Sequence, residues 1–184
     1  MPTALHFRAT LLIGLWAFCW GAMARADTSA GELDLKSAYV FNFIQFIEWP
    51  DNSASASASG TGDWTICVSA FSPLKRPLTA LEGRPARKGR IIRVRLLEIR
   101  ELRSCQMVVM HSADVEQVLG ALKSLPAEHG ILTIAEEVTF AHPDIMITLY
   151  QVDGRVVFGI RADAASAAGL SVSSRLLRLA RAGK

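Results

Sequence analysis

Of 184 residues only three are cysteine, four histidine and two tyrosine, and each shortage closes off a class of chemistry. His111, His129 and His142 are the histidines of the chain body, and none stands at ligand spacing from a cysteine, so the familiar zinc patterns are excluded. There is no C-x-x-C pair, no H-E-x-x-H helix, no G-x-S-x-G elbow and no dinucleotide glycine fingerprint. Gly60-Thr61-Gly62 lacks the Lys and Ser or Thr that a phosphate-binding loop needs after its glycines. His111-Ser112-Ala113-Asp114 does gather an imidazole, a hydroxyl and a carboxylate, but at a strand end this reads as a helix cap beside a surface histidine. No catalytic residue, metal ligand or cofactor is therefore expected, and the chain reads as a non-enzyme.

Long apolar runs are also missing once the first 26 residues are set aside, so nothing later in the chain is expected to anchor it in a membrane. Those first residues are different. A short segment with His6 and Arg8, an apolar run from Leu11 to Trp20, and Ala24-Arg25-Ala26 have the order of a secretory leader, with cleavage expected after Ala26. Cleavage would remove Arg8 and Arg25 from the 20 basic residues and no acid, leaving 18 against 17, close to neutral. The compartment that follows is oxidising. It would receive Cys67 and Cys105 but not Cys19, and two cysteines allow one intrachain pairing, with two free thiols as the alternative. A loop of that length closed by a disulfide gains about 3–4 kcal/mol in the chain-entropy model.

What is abundant is apolar: 51% of the chain, enough for one substantial core in residues 27–184. The densest stretch is Leu35 to Pro50, LKSAYVFNFIQFIEWP. Its Ala38, Phe41, Ile44, Phe46 and Ile47, widened by Tyr39, Val40 and Phe43, predict a helix buried on most of its circumference. Pro50 should stop it near Glu48. A Ser/Ala-rich tract, 51–63, then predicts a surface loop.

Beyond it strands and helices alternate. Trp64–Ala70 predicts a strand, Leu74–Leu81 a short helix, and Ile91–Leu97 a strand with Ile92, Val94 and Leu96 inward and Arg93 and Arg95 outward, near a sheet edge. Cys105–Met110 should be central, followed by a helix capped by Ser112 or Asp114 and ending before Pro126, then a strand at Gly130–Ala135. Asp153-Gly154 predicts a hairpin between Asp144–Tyr150 and Arg155–Ile160. A helix at Ala162–Ala168 should end at Gly169. A last one should be capped by Ser173, stapled by Val172 and Leu177, packed through Leu176, Leu177 and Ala180, and solvated at Arg175, Arg178 and Arg181. The fold class is α/β: a three-layer sandwich, a mostly parallel sheet of five to six strands, one antiparallel hairpin strand and helices on both faces.

One charge cluster stands out, Arg84, Arg87, Lys88, Arg90, Arg93 and Arg95. Glu98 and Glu101 follow closely and nucleic acid is not expected outside the cytoplasm, so a solvated face, an acidic partner or an anionic membrane surface are the readings.

The string AYVFNFIQFIEWP resembles the opening of the YfiR family, and further landmarks follow in order. TICVSAFSPL, Ser104-Cys105-Gln106, GILTIAE, RVVFGI and GLSVSSRLLRLAR are similar to the family's later elements. The chain departs from many relatives at Ala141-His142-Pro143-Asp144, where they have glycines, and at Arg161, where they often have Asn; it also lacks the second cysteine pair that some carry, so its hairpin must be held by packing. The resemblance implies a periplasmic repressor of a membrane-bound diguanylate cyclase. It would bind the cyclase's periplasmic part, lower cyclic-di-GMP and biofilm formation, and be sequestered in turn by an OmpA-like outer-membrane lipoprotein. It implies a homodimer and a partner-binding surface, which we place at Arg161, Leu170 and Arg175; the competing reading has Leu170 closing the Gly169 cap against the core. The alternative function is a small-ligand sensor, with its pocket near Phe71 and His111, signalling to a membrane kinase or cyclase.

Overall fold

The computed structural model describes residues 23–50, 62–136 and 142–180, with side chains from Ser29 onward. The leader up to position 22, most of the Ser/Ala-rich loop (51–61), Ala141 and Arg181 lie outside the described residues.

The aromatic stretch is part of helix α1, Met23–Phe46. It begins earlier than Leu35, and it ends two residues sooner than Pro50 alone would require, because Ile47–Glu48 form a short strand, β1. Val40, Phe43, Ile44 and Ile47 are fully buried, whereas Ala38 is exposed. Lys36, also buried, is neutralised one turn away by Glu32 at 2.6 Å.

After the undescribed loop come β2 (Trp64–Val68), α2 (Lys75–Thr79), β3 (Ile92–Leu96), β4 (Met107–Met110), α3 (Val115–Lys123) and β5 (Leu132–Glu136). The hairpin β6 (Ile147–Val152) and β7 (Arg155–Ile160), helix α4 (Ala162–Ala167), strand β8 (Ser171–Val172) and helix α5 (Ser174–Leu179) complete the order. Six strands form one sheet in the order β3-β2-β4-β5-β6-β7. All neighbours are parallel except β6 and β7, as the Asp153-Gly154 turn, with φ of +50° and +72°, requires.

Burial follows position in the sheet. Every residue of β2, β4 and β5 is buried, as strands covered on both faces must be. The edge strand β3 buries only Ile92 completely; Leu96, expected inward, is 55% exposed at the far end of this edge strand.

Two cores result. One lies under α1, α2, α4 and α5 and takes Ile66, Val68, Met107, Val109, Leu132, Ile134, Leu149 and Phe158 from the sheet. Here Phe158 of β7 meets Tyr39 and Phe43 of α1 at 5.2 and 5.3 Å between ring centroids, so packing of aromatic edges and faces ties the hairpin to the helix. The other, under α3 and the 3-10 turn Ile99–Ser104, takes the alternate residues Cys67, Val108, Met110 and Ala135. Cys67 and Cys105, 38 residues apart, form a disulfide inside this second core.

One cap and one staple depart from expectation. Neither Ser112 nor Asp114 bonds the start of α3 through its side chain; His111 Nδ1 instead accepts from the Ala113 N–H at 3.3 Å. Ser173 does cap α5, its Oγ accepting from the Leu176 N–H at 3.3 Å. Leu176 is buried beneath it, but Leu177 remains 38% exposed, so the expected staple is open and only Val172 packs on the core.

Candidate functional site

The residues that stand out in the sequence mostly hold the molecule together, and what they leave uncommitted defines the candidate surface. Trp49 and Gln106, far apart in sequence, meet where the indole N–H donates to the Gln106 carbonyl at 3.3 Å. Gln106 is 1% exposed; its Oε1 accepts from the Thr65 N–H at 2.6 Å, its N–H donates to Thr65 O, and its carbonyl also accepts from Leu132. One side chain and its peptide thus tie β2, the start of β4, β5 and the residue that follows β1. Composition and periodicity could not show this, because a buried glutamine looks like any polar residue until its partners are known. At the opposite sheet end Ser72 donates to Glu136, and its Oγ accepts from the Leu74 N–H at 3.0 Å.

The basic cluster is likewise largely committed. Arg84 lies over Phe41 at 5.1 Å and Arg90 over Trp64 at 4.5 Å, with Arg90 also donating to Asp63 O at 2.8 Å. Arg87 reaches Ile47 O and Glu48, and Arg93 bridges Asp63 at 3.1 Å and Glu82 at 3.3 Å. Burial pulls the Arg90 guanidinium below its ordinary pKa against the pull of Asp63. Arg93 is raised, first by its hydrogen bond to Asp63 and then by Glu82. Lys88 and Arg95 are exposed and outside these pairs.

The C-terminal region is arranged differently. Arg161 is the exposed N-cap residue of α4, its backbone N–H donating to Met146 O at 2.8 Å. Arg175 is exposed on α5, with its guanidinium 5.6 Å from the Phe46 ring. Neither makes an ion pair among the described residues. Leu170 is not on this surface: it is 3% exposed, its side chain belongs to the main core, and its N–H donates to Ala165 O behind Gly169, whose φ is +79°. The sequence reading missed the two residues that make the surface partly apolar, Leu177 and Leu179, 38% and 63% exposed beside Arg175 and Arg178. No signal in SRLLRLA separates them from the buried Leu176, since leucines one and three positions apart fall on one broad face of a helix.

This surface is held by a second, two-stranded sheet. Ile47 pairs with Val172 and Glu48 with Ser171, antiparallel, and the Ser173 N–H donates to Phe46 O at 2.9 Å. The end of α1 therefore fixes the start of α5.

No described helix is long and apolar enough to cross a membrane, and no three His, Cys, Asp or Glu side chains among the described residues gather as a metal site would need. Phe71, 67% exposed, lies 6.3 Å from the His111 ring at the carboxyl ends of β2 and β4.

Fold and surface together define a disulfide-braced three-layer α/β domain that presents a basic and leucine-bearing face at its C-terminal end. The YfiR/HmsC-like family matches residues 33–181, most of the chain, and the protein belongs to that family. A comparison with curated proteins finds no match.

Proposed function

We propose that the protein is a periplasmic regulator of cyclic-di-GMP signalling that binds the periplasmic part of an inner-membrane diguanylate cyclase and holds it inactive. Family membership supports the regulatory class. The observation that carries the binding surface is the exposure of Leu177 and Leu179 beside Arg175 and Arg178 on a helix pinned at its start. Apolar contacts ringed by arginine are what a specific protein interface uses.

Repression requires tighter binding to the inactive cyclase than to the active one, since equal affinity would shift nothing. Arg161 and Arg175 are the contacts we assign to it, with Leu170 supporting them from beneath. An OmpA-like outer-membrane lipoprotein would act by competing for the same face, and the regulator would work as a homodimer.

The test is affinity capture of the oxidised protein, lacking residues 1–26, from a membrane extract of its own organism, with bound proteins identified by mass spectrometry. Recovery of an inner-membrane diguanylate cyclase, lost on Arg161→Glu with Arg175→Glu, is the expected result. Folded protein that captures no membrane signalling protein would overturn the reading. The sensor alternative rests on Phe71 beside His111 and would instead show as a ligand that raises the melting temperature and perturbs those two rings.

A further inference from the structure

Away from the Phe71 and His111 end, a cleft of about 370 Å³ opens between α3 and α4. Its walls are Leu119 and Leu122 of α3, Leu125, Met146 and the alanines Ala164, Ala167 and Ala168. Small side chains on α4 and at its C-cap, Ala168, leave the space: a larger residue at any of the three would reach into it. The volume falls toward the lower end of small-molecule pockets, about 300–1,000 Å³, and well above the roughly 150 Å³ that suffices for a benzene ring.

Three polar side chains join this apolar lining: His129, Lys123 and Asp144. The Lys123 ammonium stands 3.7 Å from the Asp144 carboxylate, and His142 is a further 3.6 Å neighbour of that carboxylate. A ligand anion would meet Asp144 and a ligand cation would meet Lys123, so the pair favours neither. His129 is more specific. Its Nδ1 accepts from the Ile131 N–H at 3.0 Å, which puts the ring proton of the neutral imidazole on Nε2, the nitrogen that this bond does not use. Burial lowers the pKa of this histidine, so the ring is neutral at pH 7.

We propose that the cleft between α3 and α4 is a binding site for a compact, neutral, mainly apolar molecule carrying one hydrogen-bond acceptor, which the His129 Nε2–H receives. The lining supplies the apolar contact and the imidazole fixes orientation, the division of labour that small-ligand pockets use. The site uses none of Arg161, Leu170 and Arg175 and is independent of the partner reading.

The test is a titration of the ¹⁵N-labelled full domain followed by NMR, with acetophenone as the neutral probe, toluene as the same ring without an acceptor, and benzoate as its anionic counterpart. Acetophenone is expected to give saturable shifts at the amides of Leu122, Ala164 and Ala168, with toluene at least fivefold weaker and benzoate weaker still. His129→Asp keeps an acceptor for the Ile131 N–H through an Asx turn but, as a carboxylate, offers no donor, and should bring acetophenone down to the toluene level. Ala167→Leu, at an exposed position on the rim, should weaken all three with the spectrum otherwise intact. Absence of saturable shifts at those amides, equal affinity for toluene, tighter binding of benzoate, or undiminished binding by Ala167→Leu would each overturn the proposal.

Discussion

Two regions of this molecule are rich in arginine, and folding commits their charges to different degrees. Between Arg84 and Arg95 the arginines are dense, yet Arg84, Arg87, Arg90 and Arg93 are each bound to a ring, a carbonyl or a carboxylate of the same chain. Around α5 they are sparser, and Arg161 and Arg178 stand in solvent while Arg175 rests one face on Phe46. Charge density along the chain thus says little about charge available to a partner. Availability depends on which neighbours folding supplies: the loop before β3 is laid against two tryptophan-bearing segments, whereas α5 buries Leu176 and leaves its arginines on the outer side.

The sharpest way to break the comparison is at Leu170, which sequence places beside the C-terminal arginines and structure places in the core. Leu170→Asp should destabilise the fold by more than about 3 kcal/mol, because a carboxylate would be buried without a partner; chemical denaturation measures it, and a loss below 1 kcal/mol would return Leu170 to the surface. Next is Arg90→Ala, expected to cost about 1–2 kcal/mol through the lost ring contact and the lost hydrogen bond to the Asp63 carbonyl. The same measurement should find Arg161→Glu near zero, within about 0.5 kcal/mol, as an exposed substitution usually is. Equal losses at Arg90 and Arg161 would erase the distinction between the regions. If the proposed interface is correct, Arg161→Glu with Arg175→Glu should weaken cyclase binding at least tenfold while leaving the melting curve nearly unchanged.

The smallest effect is a pH dependence. His129 has a folded pKa below its unfolded value near 6.5, so the unfolded chain takes up the proton first. Stability from this group is full above pH 6.5 and falls as pH drops through and below that value. Denaturation midpoints at pH 7.5 and 5.5 should differ more in the parent than in His129→Asn, against the same Lys123, Asp144 and Glu128 neighbours.

Much of the fold was legible because its signals are local. The Asp153-Gly154 turn, the alternation in β3, the uninterrupted apolar run of β4 and the Gly169 stop all depend on residues near one another in sequence. What escaped was non-local. Nothing about Ile47-Glu48 alone distinguishes a last helical turn from a strand, because the deciding partner is Ser171-Val172 at the other end of the domain. The candidate surface was half legible: Arg161 and Arg175 are solvent-facing as their charge suggests, but Leu170 and Leu177 exchange places, one entering the core and the other leaving it. Both are leucines near a helix end, and only the orientation of α5 on β8 separates them.

The β1 and β8 pairing has a further meaning for how the chain is made. A ribosome delivers the N-terminal strand long before its mate, so the carboxyl end of α1 waits, unzipped, until nearly the whole domain has emerged. The domain thereby tests its own completeness: a chain cut short before Ser171 lacks the only described strand that pairs with β1, and the face built on α5 cannot exist without a finished protein behind it.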